Sequence, residues 1–159
     1  MIAIRYVLIL PLLATALAMT GCDEIVTGEK AQSVAVSEND AGGYGPILLA
    51  LTPDMAPVAI NFRAEHGDDP AEFGKWNSYR ATLSMNGQEV ATGQFNVNHT
   101  GSIDSPQGSP YLIENMLTVH PAEAGDYEPS ITPTKPVEVK LTGTQVEVRR
   151  NVRDDNTPR

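Results

Sequence analysis

His66, Asp68, Asp69 and Glu72 place one imidazole and three carboxylates within seven residues of the chain. Such a set suggests a hard cation, and calcium takes about 6 to 8 oxygen ligands. Three carboxylates fall short of that and their spacing matches no calcium loop, so the stretch reads first as a solvated acidic loop. His66, Asp68 and Asp69 are kept as metal-ligand candidates. A second set joins His99 and His120 to Met55, Met85 and Met116, donors soft enough for copper. No His-x-His, Met-x-x-Met or His-x-Met pair brings any of them close in sequence, and Met85 and Met116 read as core filler. Ser102, Asp104 and His99 are the residue types of a hydrolytic triad, without a nucleophile elbow to present the serine. Gly42-Gly43-Tyr44-Gly45 lacks the lysine and the strand-helix frame of a phosphate loop. The reading is therefore not an enzyme, with no catalytic residue and no cofactor.

A different chemistry is written at the N-terminus. Arg5 supplies a positive charge, Tyr6 to Leu17 an apolar stretch, and Thr20-Gly21 two small residues before Cys22, the one cysteine of the chain. Charge, apolar run and small residues are the parts of a secretory signal peptide, and the run is short against the ~20 residues of a bilayer span. Met19-Thr20-Gly21-Cys22 resembles the lipobox of bacterial lipoproteins. That resemblance implies a thiol carrying diacylglycerol, cleavage before Cys22, and acylation of the new amine, commonly with palmitate. One acyl chain holds a protein marginally and two or more hold it stably. Asp23 follows the cysteine, and in enteric lipoproteins an aspartate there goes with the inner membrane. The implied location is membrane-anchored and facing the periplasm, with the inner membrane favoured and the outer membrane the alternative.

Composition narrows the partners. The chain has a formal charge of −9, and cleavage before Cys22 removes one cation, Arg5, and no acid, taking it to −10. That balance excludes the basic footprint of a nucleic-acid binder and suits a soluble surface. With Cys22 acylated, no thiol is left for a disulfide, a zinc site or a nucleophile.

The elements that must position these residues are strands. Residues 22–45 have few large apolar side chains and end in Ala41-Gly42-Gly43-Tyr44-Gly45, the pattern of a flexible tether after the lipidated cysteine. Ser33-Val34-Ala35-Val36 is a minor candidate for an edge strand. From Pro46 the texture changes. Ile47 to Leu51 is a short apolar run, and Val58, Ile60, Phe62 and Ala64 alternate with smaller or polar neighbours, as a half-buried strand does. Asn86-Gly87 is the preferred two-residue hairpin turn. Centred there, the register sets Met85 opposite Gln88, Leu83 opposite Val90 and Ala81 opposite Thr92. One extra residue is then needed to set Phe95 opposite Tyr79 and Val97 opposite Asn77, and Gly93 is where a bulge is expected. Asn98 to Pro110 reads as an exposed loop and Tyr111 to Val119 as a strand. Val137, Val139 and Leu141 read as another, Thr142-Gly143-Thr144 as a turn, and Val146 to Val152 as the last.

Glu123-Ala124-Gly125-Asp126-Tyr127 resembles the tyrosine corner of immunoglobulin-like sandwiches, in which a tyrosine hydroxyl bonds back to the backbone entering a late strand. The resemblance gives Tyr127 that role and implies a core tryptophan, for which Trp76 is available; the paired cysteines of antibody domains are absent. The expected organisation is a signal peptide over 1–21, lipidated cysteine and tether over 22–45, a single all-β, immunoglobulin-like antiparallel sandwich of seven or eight strands over 46–152, and a disordered tail over 153–159. A closed small barrel is the structural alternative. Two functions follow. The first is a lipid-anchored, non-catalytic sandwich that binds another envelope protein or ligand through loops 65–76 and 98–110. The second is a metal-handling periplasmic lipoprotein for calcium or copper.

Overall fold

The computed structural model describes residues 28–67, 69–98 and 111–153. These form eight strands, β1 (Glu29–Ala35), β2 (Leu49–Leu51), β3 (Val58–His66), β4 (Trp76–Met85), β5 (Gln88–Asn98), β6 (Tyr111–Val119), β7 (Gly125–Pro133) and β8 (Leu141–Arg150), with single 3-10 turns at Pro53–Met55 and Pro70–Glu72. They make two antiparallel sheets, ordered β1-β8-β3-β6 and β2-β7-β4-β5. The protein is an all-β sandwich. In an immunoglobulin sandwich the last strand lies in the same sheet as the strand before it; here β8 lies beside β3, in the sheet opposite β7.

The period of two in the sequence becomes the two faces of each sheet. Val58, Ile60, Phe62 and Ala64 of β3 turn inward, as do Tyr79, Ala81 and Leu83 of β4, Phe95 and Val97 of β5, and Val146 and Val148 of β8. At the centre, Phe62 of one sheet meets Tyr79 and Phe95 of the other at 6.1 and 5.7 Å between ring centroids. Tyr44 closes the cluster, 5.1 Å from Phe62, in the offset and tilted arrangements that aromatic quadrupoles favour.

Tyr44 also corrects the expected tether. Residues 28–45 are built into the fold, with β1 paired along β8 from Glu29↔Arg150 to Ala35↔Gln145. Tyr44 exchanges two backbone hydrogen bonds of 2.9 Å with Ile131 and is 1% exposed. The glycines that suggest a linker are there for contact: a Cβ on Gly43 would collide with the Ile131 carbonyl. A segment with little apolar content is held because its partners β7 and β8 are already ordered.

In the hairpin, Phe95 lies opposite Tyr79, Val97 opposite Asn77 and Met85 opposite Gln88, as expected. The extra residue sits nearer the turn than Gly93. Leu83 pairs with Ala91, Ser84 pairs with Glu89, and Val90 is the residue left over, with its side chain in solvent. Gly93 has another use, since a Cβ there would lie 2.6 Å from the Met116 carbonyl; its absence lets β6 approach β5. The expected strand at 137–141 and turn at 142–144 are also corrected. β8 runs without a break from Leu141 to Arg150. Gly143, at φ +58, lies within a bulge where Arg63 pairs with Gln145 but Glu65 pairs with Thr142. The expected tail falls outside the described residues apart from Arg153.

Candidate functional site

One end of the sandwich gathers the β3–β4 connection, the start of β4 and the segment between β7 and β8. Asn77 ties them together. It takes an inward position on β4, next to Tyr79, and is 1% exposed. Its side-chain oxygen accepts from the backbone N–H groups of Glu138 and Val139, both at 2.9 Å, and its amide donates to the Val139 carbonyl at 2.7 Å and the Tyr79 hydroxyl at 3.1 Å. All four hydrogen-bonding positions of the amide are used in this way. The Thr134 N–H adds a bond of 2.8 Å to the Ser78 carbonyl. The 134–140 segment, which has no strand pairing of its own, is thereby fixed against β4.

That fixed segment carries Lys135, whose ammonium lies 3.7 Å from the centroid of the Trp76 ring and pairs with Glu138. A hydrogen bond from Lys135 and its charge hold the Glu138 carboxyl below the usual carboxylate range. Trp76 is 48% exposed and Phe73 63% exposed. Trp76 is therefore not the core tryptophan expected of it: inward positions on β4 are odd-numbered from Asn77, and residue 76 has the opposite parity. The loop beneath is ordered. The Asp69 carboxylate caps the 3-10 turn by accepting from the Ala71 N–H at 2.9 Å, and Glu72 accepts from the Lys140 N–H at 3.1 Å.

Only part of the metal-candidate set falls among the described residues. Asp69 and Glu72 hold backbone N–H groups, and Asp68 and the side chain of His66 lie outside the described residues. His66 ends β3, opposite Leu141, while His120 follows Val119, which pairs with Val58 at the start of β3. At about 3.3 Å per residue, their backbones are about 25 Å apart, far beyond the ~2 Å metal–nitrogen bonds of a shared site. Met55 and Met116 are core residues and Met85 packs against the core. Among the described residues no group of three or more His, Cys, Asp and Glu could hold a metal ion. His99, Ser102, Asp104, loop 99–110 and the Cys22 motif fall outside the described residues. The Tyr127 hydroxyl donates to the Glu123 carbonyl at 2.9 Å, bridging the turn that leads into β7.

A second polar cluster escaped the sequence. On the outer face of the β1-β8-β3-β6 sheet, Glu147 is 2% exposed. Its carboxylate accepts from Arg149 Nε at 2.7 Å and lies 3.3 Å from Lys30 Nζ and 3.9 Å from Arg63 Nη1. Burial pushes its pKa up, but the hydrogen bonds and charges of Arg149 and Lys30 outweigh burial and leave it below the usual range. Arg63 in turn stacks on Tyr111, 3.9 Å from the ring centroid. The cluster fastens β1 to β8 and β3. Its sequence signal was weak, a polar residue between Val146 and Val148, because Lys30 comes from the segment read as tether.

Compared with known proteins, the chain matches no family model, no curated protein and no solved structure. No helix among the described residues is long and apolar enough to cross a membrane.

Proposed function

We propose that this is a lipid-anchored cell-envelope protein whose sandwich, without catalysis, binds another envelope protein through the loop end that carries Phe73 and Trp76. The observation that supports this reading is the pair of exposed aromatics on a braced loop. Both residues are exposed although the core holds five other aromatics, and Lys135 and Asn77 hold Trp76 and its surroundings in place before any partner arrives. Tryptophan in such a position is the side chain most enriched among residues that dominate binding energy, and a prepaid geometry lowers the ordering cost of association. The anchor at Cys22 rests on the lipobox resemblance. Asn98, at the end of β5, pairs with Trp76.

The test is envelope crosslinking in the native host followed by capture of the protein, alongside a Phe73→Ala/Trp76→Ala variant. A specific partner recovered by the wild type and lost by the variant is expected, with truncation of Trp76 alone weakening binding about 30-fold, for roughly 2 kcal/mol. The variant should fold normally, because neither ring is in the core. Equal recovery with both chains refutes the role of this surface, and recovery of the protein alone refutes the binding function. The metal-handling alternative has no supporting cluster among the described residues. Titration of the chain with calcium, copper and zinc, read by heat and by thermal shift, is its direct test.

A further inference from the structure

The geometry points to a fixed orientation on the membrane: the sandwich stands with its Phe73 and Trp76 end away from the bilayer that anchors it, and meets a protein partner from the aqueous side. This inference rests on the lipid anchor proposed above, and it adds which way the binding end faces and so where the partner is found.

Three observations carry it. First, only residues 23–27 separate Cys22 from Gly28. Even fully extended at about 3.5 Å per residue, that length of chain reaches no further than about 20 Å. Second, Gly28 is a fixed point of the fold. It is buried, its carbonyl accepts from Arg149 Nη1 at 3.1 Å, and the next residue, Glu29, forms a two-bond ion pair with Arg150 at 2.7 and 2.9 Å. The leash is therefore attached where β1 begins.

Third, Gly28 and the aromatic end are at opposite poles. Glu29 pairs with Arg150 and Ala59 with Arg149, and the residues after β8 return to the Pro53–Met55 turn, with Asn151 N–H bonding to the Met55 carbonyl at 2.9 Å and Val152 N–H to the Pro57 carbonyl at 3.1 Å. This pole holds the start of β3 and the end of β8. The far pole holds the other ends of those strands, His66 opposite Leu141, together with Asn77, Val139 and Trp76. Between them lies the length of β3 from Val58 to His66, about 25 Å at about 3.3 Å per residue.

The leash is shorter than the domain. To bring Phe73 and Trp76 down to the lipid by turning over, the protein would have to raise Gly28 about 25 Å from the surface, and about 20 Å of chain cannot span that. Lying flat is opposed by polarity. The face around Glu147 displays Lys30, Arg63 and Arg149. The opposite outer face displays Thr82, Thr92, Gln94, Asn96, Asp126 and Glu128 along β4, β5 and β7. Among the described residues, the exposed large apolar side chains besides Phe73 and Trp76 are Leu48 and Val90, too few to give either face an apolar patch for lipid.

The inference is tested on the full-length, lipidated protein in vesicles. Because the Cys22 thiol is acylated, single cysteines introduced as Asp54→Cys at the near pole and Lys75→Cys at the far pole can each carry one donor dye, with acceptor dye on the lipid headgroups. Both positions are exposed. Transfer from position 54 should exceed that from position 75 at least twofold. Inserting twenty Gly/Ser residues between Cys22 and Gly28 should reduce the difference, because the leash then outreaches the domain. Equal transfer from a lipidated chain overturns the orientation and leaves the binding surface to its own test. Absence of lipid on Cys22, read by mass spectrometry of the same sample, overturns it together with the anchor.

Discussion

Replacing Asn77 by Ala removes one small amide and should unfasten the loop end. In the folded chain that amide satisfies the N–H groups of Glu138 and Val139 and donates to the Val139 carbonyl and the Tyr79 hydroxyl. A buried donor left without a partner costs about 1–3 kcal/mol. The Val139 N–H has no route to water, since Val139 is itself in the core, and takes the full cost; the Glu138 N–H is nearer the surface and recovers part of it from solvent. With the small void added, the loss comes to about 3 kcal/mol, a large share of the 5–15 kcal/mol that holds a typical domain together. At a urea slope of about 1.5 kcal/mol per molar, the midpoint of unfolding should fall by about 2 M. The chain contains one tryptophan, Trp76, so its fluorescence should report the freed Lys135 under native conditions, and amide exchange at Val139 should accelerate. Asn96→Ala is the control: the same residue type, on the outer face opposite Ser78, should change stability by less than about 0.5 kcal/mol. If Asn77→Ala and Asn96→Ala shift the midpoint equally, the reasoning that Asn77 braces this end is wrong.

Other perturbations probe the remaining joints. Glu147 has its folded pKa held below its unfolded value of about 4.3, so its contribution is present above that range and disappears as pH falls through the folded pKa. Glu147→Gln should thus be less stable by about 2 kcal/mol at pH 7, with three cations left facing each other, and the gap should close in acid; a gap that stays constant from pH 7 to 3 would refute the ion cluster. Gly93→Ala should cost about 1–3 kcal/mol by overpacking against the Met116 carbonyl, whereas Gly87→Ala meets no neighbouring atom within 4 Å and should pay only for its positive φ, about 1 kcal/mol; thermal unfolding of the two variants compares them. Tyr127→Phe loses its bond to the Glu123 carbonyl and should lower stability by about 1 kcal/mol in a denaturant titration. Cys22→Ser should leave the fold intact and release the protein from the membrane fraction, and retention there would contradict the lipid anchor.

How far the chain could be read follows from where each element finds its partners. β3 and the β4–β5 hairpin were legible because alternation and Asn86-Gly87 are local signals, and the pairing of Phe95 with Tyr79 follows once both faces must be buried. The bulge was placed at Gly93 on the strength of glycine's freedom, but the strand took its extra residue at Val90, where the side chain can point to water, and kept Gly93 for the approach of β6. β1 was legible only as the short edge-strand candidate Ser33-Val34-Ala35-Val36, because its seven residues are mostly exposed and gain order from β8, more than a hundred positions away. Of the candidate site, the β3–β4 loop was located by its polarity, whereas its exposed ring and its brace were not. Asn77 left one trace, a polar residue at the inward parity of β4.

The sequence by itself determined the all-β character, the inward and outward faces of the long strands and the tight hairpin, because each depends on spacing within a few residues. Only the tertiary structure decided that Tyr44 completes the aromatic core, that Glu147 is enclosed by Lys30, Arg63 and Arg149, and that Trp76 faces water beside Lys135. These depend on residues brought together from distant strands. Burial and hydrogen bonding at such places are properties of the assembled sheets, and a residue's own neighbours in the chain do not carry them.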